Sequence, residues 1–397
     1  MAARLRRIAV VWIVLAAAIY LLDLFQQTRV GLTNGGGRPL GDDFINYWSA
    51  GRLALEGRVG EIYPGAVFHA FQQGVVHGPI QAYHFNYPPV ALSLLAPFAA
   101  IPYAPALFVW LGLSLVAFWL ALKHAVGPGA LLLALATPAL FIDAVGGQNG
   151  AWTAALLGGG LCLLDRRPWL AGVLFGLLIY KPHLGPLIPV ALVAGQRWKA
   201  VGSAAVVSVG LVALSLVLFG ASSWTAYAHN LGMVRQLELE DADGLWHRMI
   251  SVFVLARRLG APVTAAYAVQ AASGVFAAVT VAVLWFRKAE AARRNTAVIV
   301  GACLTTPYLM DYDLVMLAFA AAWIAAPALK AGARGTGRLA AAGLLLVAPL
   351  AAAPIGKLTG LAVGVLFLLP AMAVVLWGWG EKPAMALAAG EELAPQP

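Results

Sequence analysis

The sequence predicts an all-α polytopic membrane protein, and two observations carry that prediction. Of its 397 residues, 61% are hydrophobic and only 11% are charged, whereas soluble domains carry about 25% charged residues. Many separate apolar runs approach the roughly 20 residues that a helix needs to cross a bilayer. The runs are continuous rather than alternating, which excludes a transmembrane β-barrel.

The charge distribution indicates membrane orientation rather than nucleic-acid binding. The net charge is +9, and the basic residues collect in short loops between apolar runs, as the positive-inside rule expects. No basic stretch is interleaved with aromatic residues suited to base stacking. Cys162 and Cys303 lie inside apolar runs and form neither a disulfide framework nor a metal-ligand spacing. No nucleic-acid partner, metal or cofactor is expected.

The first apolar run, residues 8–25, is predicted to be an uncleaved first span, because no small-x-small cleavage site follows its arginines. A first outer loop is predicted over 26–104, with two short amphipathic helices at about 43–56 and 64–77. Pro64 suits the first turn of the second helix.

The loop charges predict the topology of the remaining runs. The apolar segment 88–101 is short and contains Pro97, so it is predicted to be juxtamembrane or re-entrant rather than spanning. About twelve spans then place both termini inside, with a second outer loop at 220–263. Residues 1–380 are predicted to form one membrane domain, and the Ala-, Glu- and Pro-rich tail at 381–397 is predicted to be disordered.

This topology places most of the unusual polar residues at one face of the membrane, the outer one. Ionisable groups at or within a membrane are costly and are candidates for function. A transporter should bury its charges at the midplane inside broken helices, so the grouping at one face favours an enzyme. A transporter or lipid-linked sugar flippase is the alternative, and a non-catalytic scaffold is a second.

Asp42 and Asp43 are the candidate catalytic residues. Adjacent helical residues point about 100° apart, so the two carboxylates cannot act on one atom. Asp42 suits a helix N-cap. Asp43 lies beside Phe44 and one turn from Tyr47, where partial desolvation would raise its pKa and favour proton transfer near neutral pH. Alternatively, both are solvated caps of a juxtamembrane helix.

Two further outer segments could contact a sugar or a lipid head group. Tyr87 precedes two prolines and suits the headgroup level, in a structural or a pocket-shaping role. Gln148 and Asn149 follow two glycines, and their amides suit sugar hydroxyls, although a plain interhelical turn explains the glycines equally well.

The candidate phosphate contacts are Lys181, His183 and Arg248. A lysine between apolar runs is a natural counter-ion for phosphate, with snorkelling to the interface as the alternative. Arg248, next to His247 on the predicted second outer loop, adds a guanidinium suited to phosphate, with a solvated loop as the alternative.

Asp311 and Asp313 interrupt two further apolar runs at the outer face. These carboxylates could orient a cation or hydrogen-bond a sugar. A lone D-x-D spacing is weak evidence for a metal.

Several of these segments together resemble glycosyltransferase family 87, of the GT-C superfamily, over about residues 8–330. The resemblance is carried by Asp43-Phe44, Tyr47, Ala50–Leu53, Gly57, Tyr63, Tyr87-Pro88-Pro89, Gly147-Gln148-Asn149, Gly176, Lys181-Pro182, Thr306-Pro307-Tyr308 and Asp311-Tyr312-Asp313.

The resemblance implies a GT-C helix bundle with juxtamembrane helices in the first outer loop. It also implies inverting transfer of a mannose-like hexose from a polyprenyl-phosphate donor to a lipid or glycan acceptor, with no metal. Asp43 matches the position of the base. The expected location is the bacterial inner membrane, with the active site facing the periplasm and both termini cytoplasmic. The sugar or acceptor contacts would then be Tyr47, Tyr87, Gln148, Asn149, His247, Asp311 and Asp313.

Overall fold

The computed structural model describes residues 2–241, 245–331 and 335–378, so the predicted tail at 381–397 lies outside the described residues. Within these ranges the regular structure is helical, with isolated β-bridges only. The helices are α1 Ala2–Gln27, α2 Phe44–Leu55, α3 Gly65–Val76, α4 Val90–Ala99, α5 Tyr103–Val126, α6 Ala130–Leu135, α7 Pro138–Val145, α8 Gly150–Leu163, α9 Pro168–Leu177, α10 Leu187–Ala194, α11 Trp198–Val234, α12 Val252–Arg258, α13 Val263–Phe286, α14 Ala291–Thr305, α15 Leu317–Ala331, α16 Thr336–Thr359 and α17 Leu369–Ala373.

Six helical segments of the described chain are long and apolar enough to cross a membrane, which confirms the predicted class. They are Ala3–Gln27, Tyr103–Leu135, Trp198–Glu240, Val263–Phe286, Asp311–Leu329 and Thr336–Thr359. The apolar runs between 130 and 194 form α6 to α10, which are 6 to 14 residues long. These are shorter than the roughly 20 residues of a full span, so twelve spans remain a prediction.

Side-chain exposure separates lipid-facing helices from the centre of the bundle. On α1 and α11, apolar side chains such as Leu22 (65% exposed) and Val217 (82% exposed) point outward. On α14 and α15, Val300 and Phe319 are fully buried. Because lipid is as apolar as these side chains, α1 and α11 form the periphery, and α14 and α15 form the core.

The two short helices predicted at about 43–56 and 64–77 are confirmed as α2 and α3. Helix α2 packs on α4, and most of its residues are buried. Its first residue, Phe44, packs against the rings of Tyr103 and Trp110 on α5, with ring centroids 5.6 Å and 6.1 Å apart. This aromatic packing fixes the start of α2, and therefore the position of Asp43, against a membrane-spanning helix.

The predicted second outer loop begins as a helix. Helix α11 continues through a kink at Gly220, where φ is +73°, and ends at Val234. A π-helical turn, Arg235–Glu240, then follows. The continuation brings Glu238 within 3.0 Å of the Asn86 amide in the first loop. The rest of the acidic run, residues 242 and 243, lies outside the described residues.

Two glycines allow three backbone turns to meet at one point. Gly147 has φ of +57°, and a Cβ there would lie 2.3 Å from the carbonyl oxygen of Gly41. A Cβ on Gly150 would lie 2.1 Å from the carbonyl oxygen of Tyr312. The turns at 41–43, 146–150 and 311–316 therefore touch through their main chains.

We expect Gly150→Ala to destabilise the protein, because its methyl group would force Tyr312 away. Overpacking of this kind costs about 1–3 kcal/mol. The matched control is Gly202→Ala on exposed α11, where a Cβ meets nothing within 4 Å. Thermal unfolding in nanodiscs should show a lower Tm for Gly150→Ala only. Equal Tm values for the two variants would contradict the close approach.

Candidate active site

A polar cavity of about 950 Å³ lies between the segment 34–88, which precedes α4, and the broken ends of the bundle helices. It is lined by most of the residues predicted from the sequence: Asp42, Asp43, Tyr47, Tyr87, Gln148, Lys181, His183, His247, Arg248 and Asp311. The other two, Asn149 and Asp313, are buried behind this wall. The structure therefore brings the predicted residues together at one place.

Asp43 stands at the N-cap position of α2, but its side chain does not cap the helix. One carboxylate oxygen instead accepts a hydrogen bond of 2.5 Å from the Gln148 side-chain amide. Burial, together with the negative charge of Asp42, raises the pKa of Asp43 to about 7. This carboxyl group can therefore take up or release a proton near neutral pH.

Asp42 is not a helix cap, so that prediction is wrong. Its backbone is left-handed, with φ of +41°. Its carboxylate accepts from the Arg38 guanidinium, with a shortest distance of 2.6 Å, and Arg38 also pairs with Asp23 on α1 at 2.7 Å. The turn thus directs Asp42 to an arginine, while Asp43 faces the amide of Gln148.

A chain of hydrogen bonds leads from Gln148 into the protein. The Tyr47 hydroxyl donates to the Gln148 side-chain oxygen at 2.7 Å. The Asn149 amide donates to the hydroxyls of Tyr47, at 3.1 Å, and Tyr87, at 2.7 Å. The ammonium of Lys181 donates to the Asn149 side-chain oxygen at 2.7 Å. Asp43 is therefore linked through neutral groups to a buried charge.

Lys181 forms a buried ion pair with Asp313. The residues are 1% and 0% exposed, respectively. The second oxygen of Asp313 accepts from the Met310 backbone amide at 3.2 Å. Lys181 thus reaches the cavity wall with its charge already balanced by a carboxylate.

Arg248 and Asp311 form a second ion pair at the cavity wall. The guanidinium donates twice to the carboxylate, at 2.9 Å and 2.8 Å, and 30% of the Arg248 side chain is exposed. Asp311 and Asp313 therefore accept from two different cations. In the described ranges, no group of three or more His, Cys, Asp or Glu residues is placed to hold a metal ion.

Two histidines complete the wall. The ring of His183 packs edge-on against Tyr308, with centroids 6.1 Å apart. Its Nε2 is buried without a hydrogen-bond partner in the described chain, and burial lowers the pKa of His183 to about 3. His247 lies against the ring of Trp246. His183 is therefore a neutral imidazole at neutral pH.

Five charged residues at or near this cavity were not predicted as site residues. Arg38, Arg235, Glu238 and Lys357 line it, and Asp23 holds Arg38 from α1. Two signals in the sequence pointed to Arg38 and Asp23. Arg38 stands four residues before Asp42, and Asp23 is an acidic residue inside the predicted first span. Lys357 lies on α16, beyond the region of resemblance; it is a lysine between apolar runs, the same signal that selected Lys181.

An apolar pocket of about 240 Å³ adjoins the polar cavity. Tyr47, Tyr87 and Tyr180 line both spaces. The rest of the pocket wall is almost entirely apolar and comes from α4, α5, α8 and α9, including Leu94 and Trp152. A polar site thus lies next to an apolar one across a boundary of tyrosines.

The fold and the site define a polytopic helical membrane protein whose polar cavity adjoins an apolar pocket. The model of glycosyltransferase family 87 matches residues 85–307, more than half of the chain. The chain belongs to glycosyltransferase family 87, which confirms the resemblance predicted from its sequence. The matched range contains Tyr87, Gln148, Lys181 and Arg248, whereas Asp43 lies outside it.

Two curated relatives are alpha-(1->3)-arabinofuranosyltransferases from two strains of Mycobacterium tuberculosis. Each is 31% identical to this chain over an alignment of 155 residues, and the match covers 34% of this chain and 35% of the relative. The similarity thus spans about a third of the length of these relatives. No solved structure matches the chain.

We expect the Asp43 carboxyl group to titrate near pH 7, because burial and the charge of Asp42 raise its pKa. Infrared difference spectra between the wild type and Asp43→Asn should show a protonated carboxyl band that disappears as the pH rises through about 7. A carboxylate that is fully ionised at pH 5 would contradict this burial effect.

Proposed function

We propose that this protein is an inverting glycosyltransferase that transfers a sugar from a polyprenyl-phosphate donor to a hydroxyl group of a lipid or glycan. The reaction would take place at the periplasmic face of the bacterial inner membrane, with both termini cytoplasmic. One observation carries the proposal. Asp42 and Asp311 each face an arginine, whereas Asp43 accepts from a neutral amide on the cavity wall and has a pKa near neutrality.

In the proposed reaction, Asp43 takes the proton of the acceptor hydroxyl group. The oxygen of that hydroxyl group attacks the anomeric carbon of the donor sugar. The bond from that carbon to the phosphate oxygen breaks on the opposite face, and its electron pair leaves with the polyprenyl phosphate. Phosphate departs without being protonated, so one carboxylate suffices. Glycoside hydrolases, in contrast, need two carboxyl groups.

Arg248 is the proposed main contact of the leaving phosphate. Its guanidinium has five N–H donors, of which Asp311 uses two, and part of the side chain is exposed to the cavity. The neutral His183 adds a donor, and Lys181 contributes its charge from the buried pair with Asp313. Donors fixed before the reaction stabilise charge that develops in the transition state.

The adjoining apolar pocket is the proposed site for the first isoprenoid units of the donor. A polyprenyl phosphate is charged at one end and apolar at the other, and the cavity and pocket offer these two environments side by side. Tyrosines suit such a boundary, because their rings are apolar and their hydroxyls polar.

The proposed sugar is a mannose-like hexose, as the resemblance to glycosyltransferase family 87 implies. Tyr87, Gln148, His247 and Asp311 line the cavity where it would bind. The name of the mycobacterial relatives favours a second candidate, an arabinofuranosyl group. Both sugars fit a cavity of this size.

We expect Asp43→Asn to lower transfer by about 10²- to 10⁴-fold, the usual range for loss of a general base. Wild-type activity should rise with pH through about 7, because the base must be deprotonated and its pKa lies there. The measurement is product formation from polyprenyl-phosphate mannose, and separately from polyprenyl-phosphate arabinose, in proteoliposomes containing lipid acceptors.

Asp42→Asn is the control. In this variant Arg38 keeps Asp23 as a partner, so the loss of transfer activity should be smaller than in Asp43→Asn. Full retention of transfer by Asp43→Asn would remove Asp43 as the base. Movement of the sugar lipid across the membrane by the wild type, without any glycosylated product, would favour the flippase alternative.

We expect Leu94→Trp to weaken binding of a long-chain donor by filling the apolar pocket that Leu94 lines. A tenfold rise in KM corresponds to a loss of about 1.4 kcal/mol. A water-soluble donor with a short chain should keep its KM, and Leu94→Met, which conserves volume, should behave like the wild type. Equal effects on both donors would place the isoprenoid chain elsewhere.

A further inference from the structure

We infer that Lys181 is a positioning residue: it fixes the direction of a hydrogen-bond relay through Asn149, Tyr47 and Gln148, which keeps an N–H donor pointed at Asp43. The inference rests on the proposed function, in which Asp43 accepts a proton. It gives Lys181 a role different from the direct phosphate contact predicted from the sequence.

The relay starts from a group that can only donate. A lysine ammonium has three donors and no acceptor. Lys181 gives one hydrogen bond to Asp313 and one, of 2.7 Å, to the Asn149 side chain. The oxygen of the Asn149 amide must therefore face Lys181, and its NH₂ group must face the tyrosine hydroxyls.

Tyr47 then fixes the direction of the next hydrogen bond in the relay. Asn149 donates to the Tyr47 hydroxyl at 3.1 Å, which leaves the proton of Tyr47 for another acceptor. That acceptor is the Gln148 side-chain oxygen, 2.7 Å away. The Tyr87 hydroxyl, 2.9 Å from that of Tyr47, must then be the donor in the contact between the two tyrosines. With its oxygen occupied, Gln148 directs its NH₂ group toward the Asp43 carboxylate.

The opposite direction would satisfy the contacts between Asn149 and Asp43 only with a proton on Asp43, and it would leave the contact with Lys181 unsatisfied. The Asn149 oxygen would accept from Tyr47, Tyr47 would accept from Gln148, and the Gln148 oxygen would face Asp43. Two oxygens at that distance require a proton between them, so Asp43 would become the donor. The ammonium of Lys181 decides between these directions, because it has only donors and an NH₂ group cannot accept from it.

Other groups also act on Asp43 and are left in place by changes at Lys181. Asp42, Glu238 and Arg248 exert charge effects on it, and the tyrosines that interact electrostatically with it are Tyr47, Tyr83, Tyr103 and Tyr308. His183 and His247 line the same cavity. If the relay affects Asp43, its pKa must therefore change when the relay is cut and the charged groups and tyrosines around Asp43 are all retained.

The test is the infrared titration of Asp43, which needs no transferase activity. Replacing Lys181 alone would strand a buried Asp313 carboxylate, which is strongly destabilising. The first variant is therefore Lys181→Met combined with Asp313→Asn, which leaves the net charge unchanged. The second is Asn149→Leu, which cuts the relay and leaves the Lys181–Asp313 pair intact. Lys181→Arg, which preserves the donor, is the rescue.

We expect the midpoint of Asp43 ionisation to rise by about one pH unit both in Lys181→Met with Asp313→Asn and in Asn149→Leu. Below the midpoint, this rise corresponds to a roughly tenfold decrease in the ionised fraction of Asp43. Lys181→Arg should stay near the wild type. The acidic limb of kcat against pH should move by the same amount as the midpoint.

Three results would overturn the relay. The first two are an unchanged midpoint of Asp43 ionisation in Asn149→Leu or in the double variant Lys181→Met with Asp313→Asn. The third is a loss of transfer activity in these variants that is confined to a raised KM for the donor. The last result would return Lys181 to a direct phosphate contact. A wild type that forms no product from either sugar donor would refute the proposed function, while leaving the infrared titration intact as the test of the relay.

Discussion

The buried ion pair between Lys181 and Asp313 is the interaction on which the centre of the molecule depends. Removing two charges from water costs several kcal/mol per ion, and only close geometry with further hydrogen bonds recovers it. Here the further bonds come from Asn149 and from the Met310 backbone. The pair therefore ties the turn after α9 to the turn after α14, and the turn before α8 is held between them.

The site is built from the places where helices stop. Irregular backbone at membrane depth is tolerated only where it is packed in protein or lines a water-filled cavity. The breaks at 146–149, 181–186 and 306–310 meet the start of α2. Gly147 and Gly150 let these main chains touch. Polar side chains that would be costly along a span thus become neighbours around one cavity.

Composition and apolar runs were enough to predict the helical membrane class, and the positions of α2 and α3 followed from amphipathic pattern and Pro64. The pairings could not be predicted in this way. Lys181 and Asp313 are 132 residues apart, and nothing local in the sequence selects that partner over Asp311. The cap prediction for Asp42 failed because a left-handed turn directs its side chain to Arg38 instead.

The peripheral position of α1 gives the bilayer a mechanical connection to the turn that carries Asp42 and Asp43. The flanks of α1 are open to lipid, as the exposure of Leu22 shows, while Asp23 on the same helix holds Arg38 and, through it, Asp42. Spanning helices tilt to match the thickness of the hydrocarbon layer. A change in that thickness would therefore pull on the turn that carries Asp43 through two contacts: the Arg38 guanidinium and the Gln27 side-chain oxygen, which accepts from the Gly41 backbone amide at 2.7 Å.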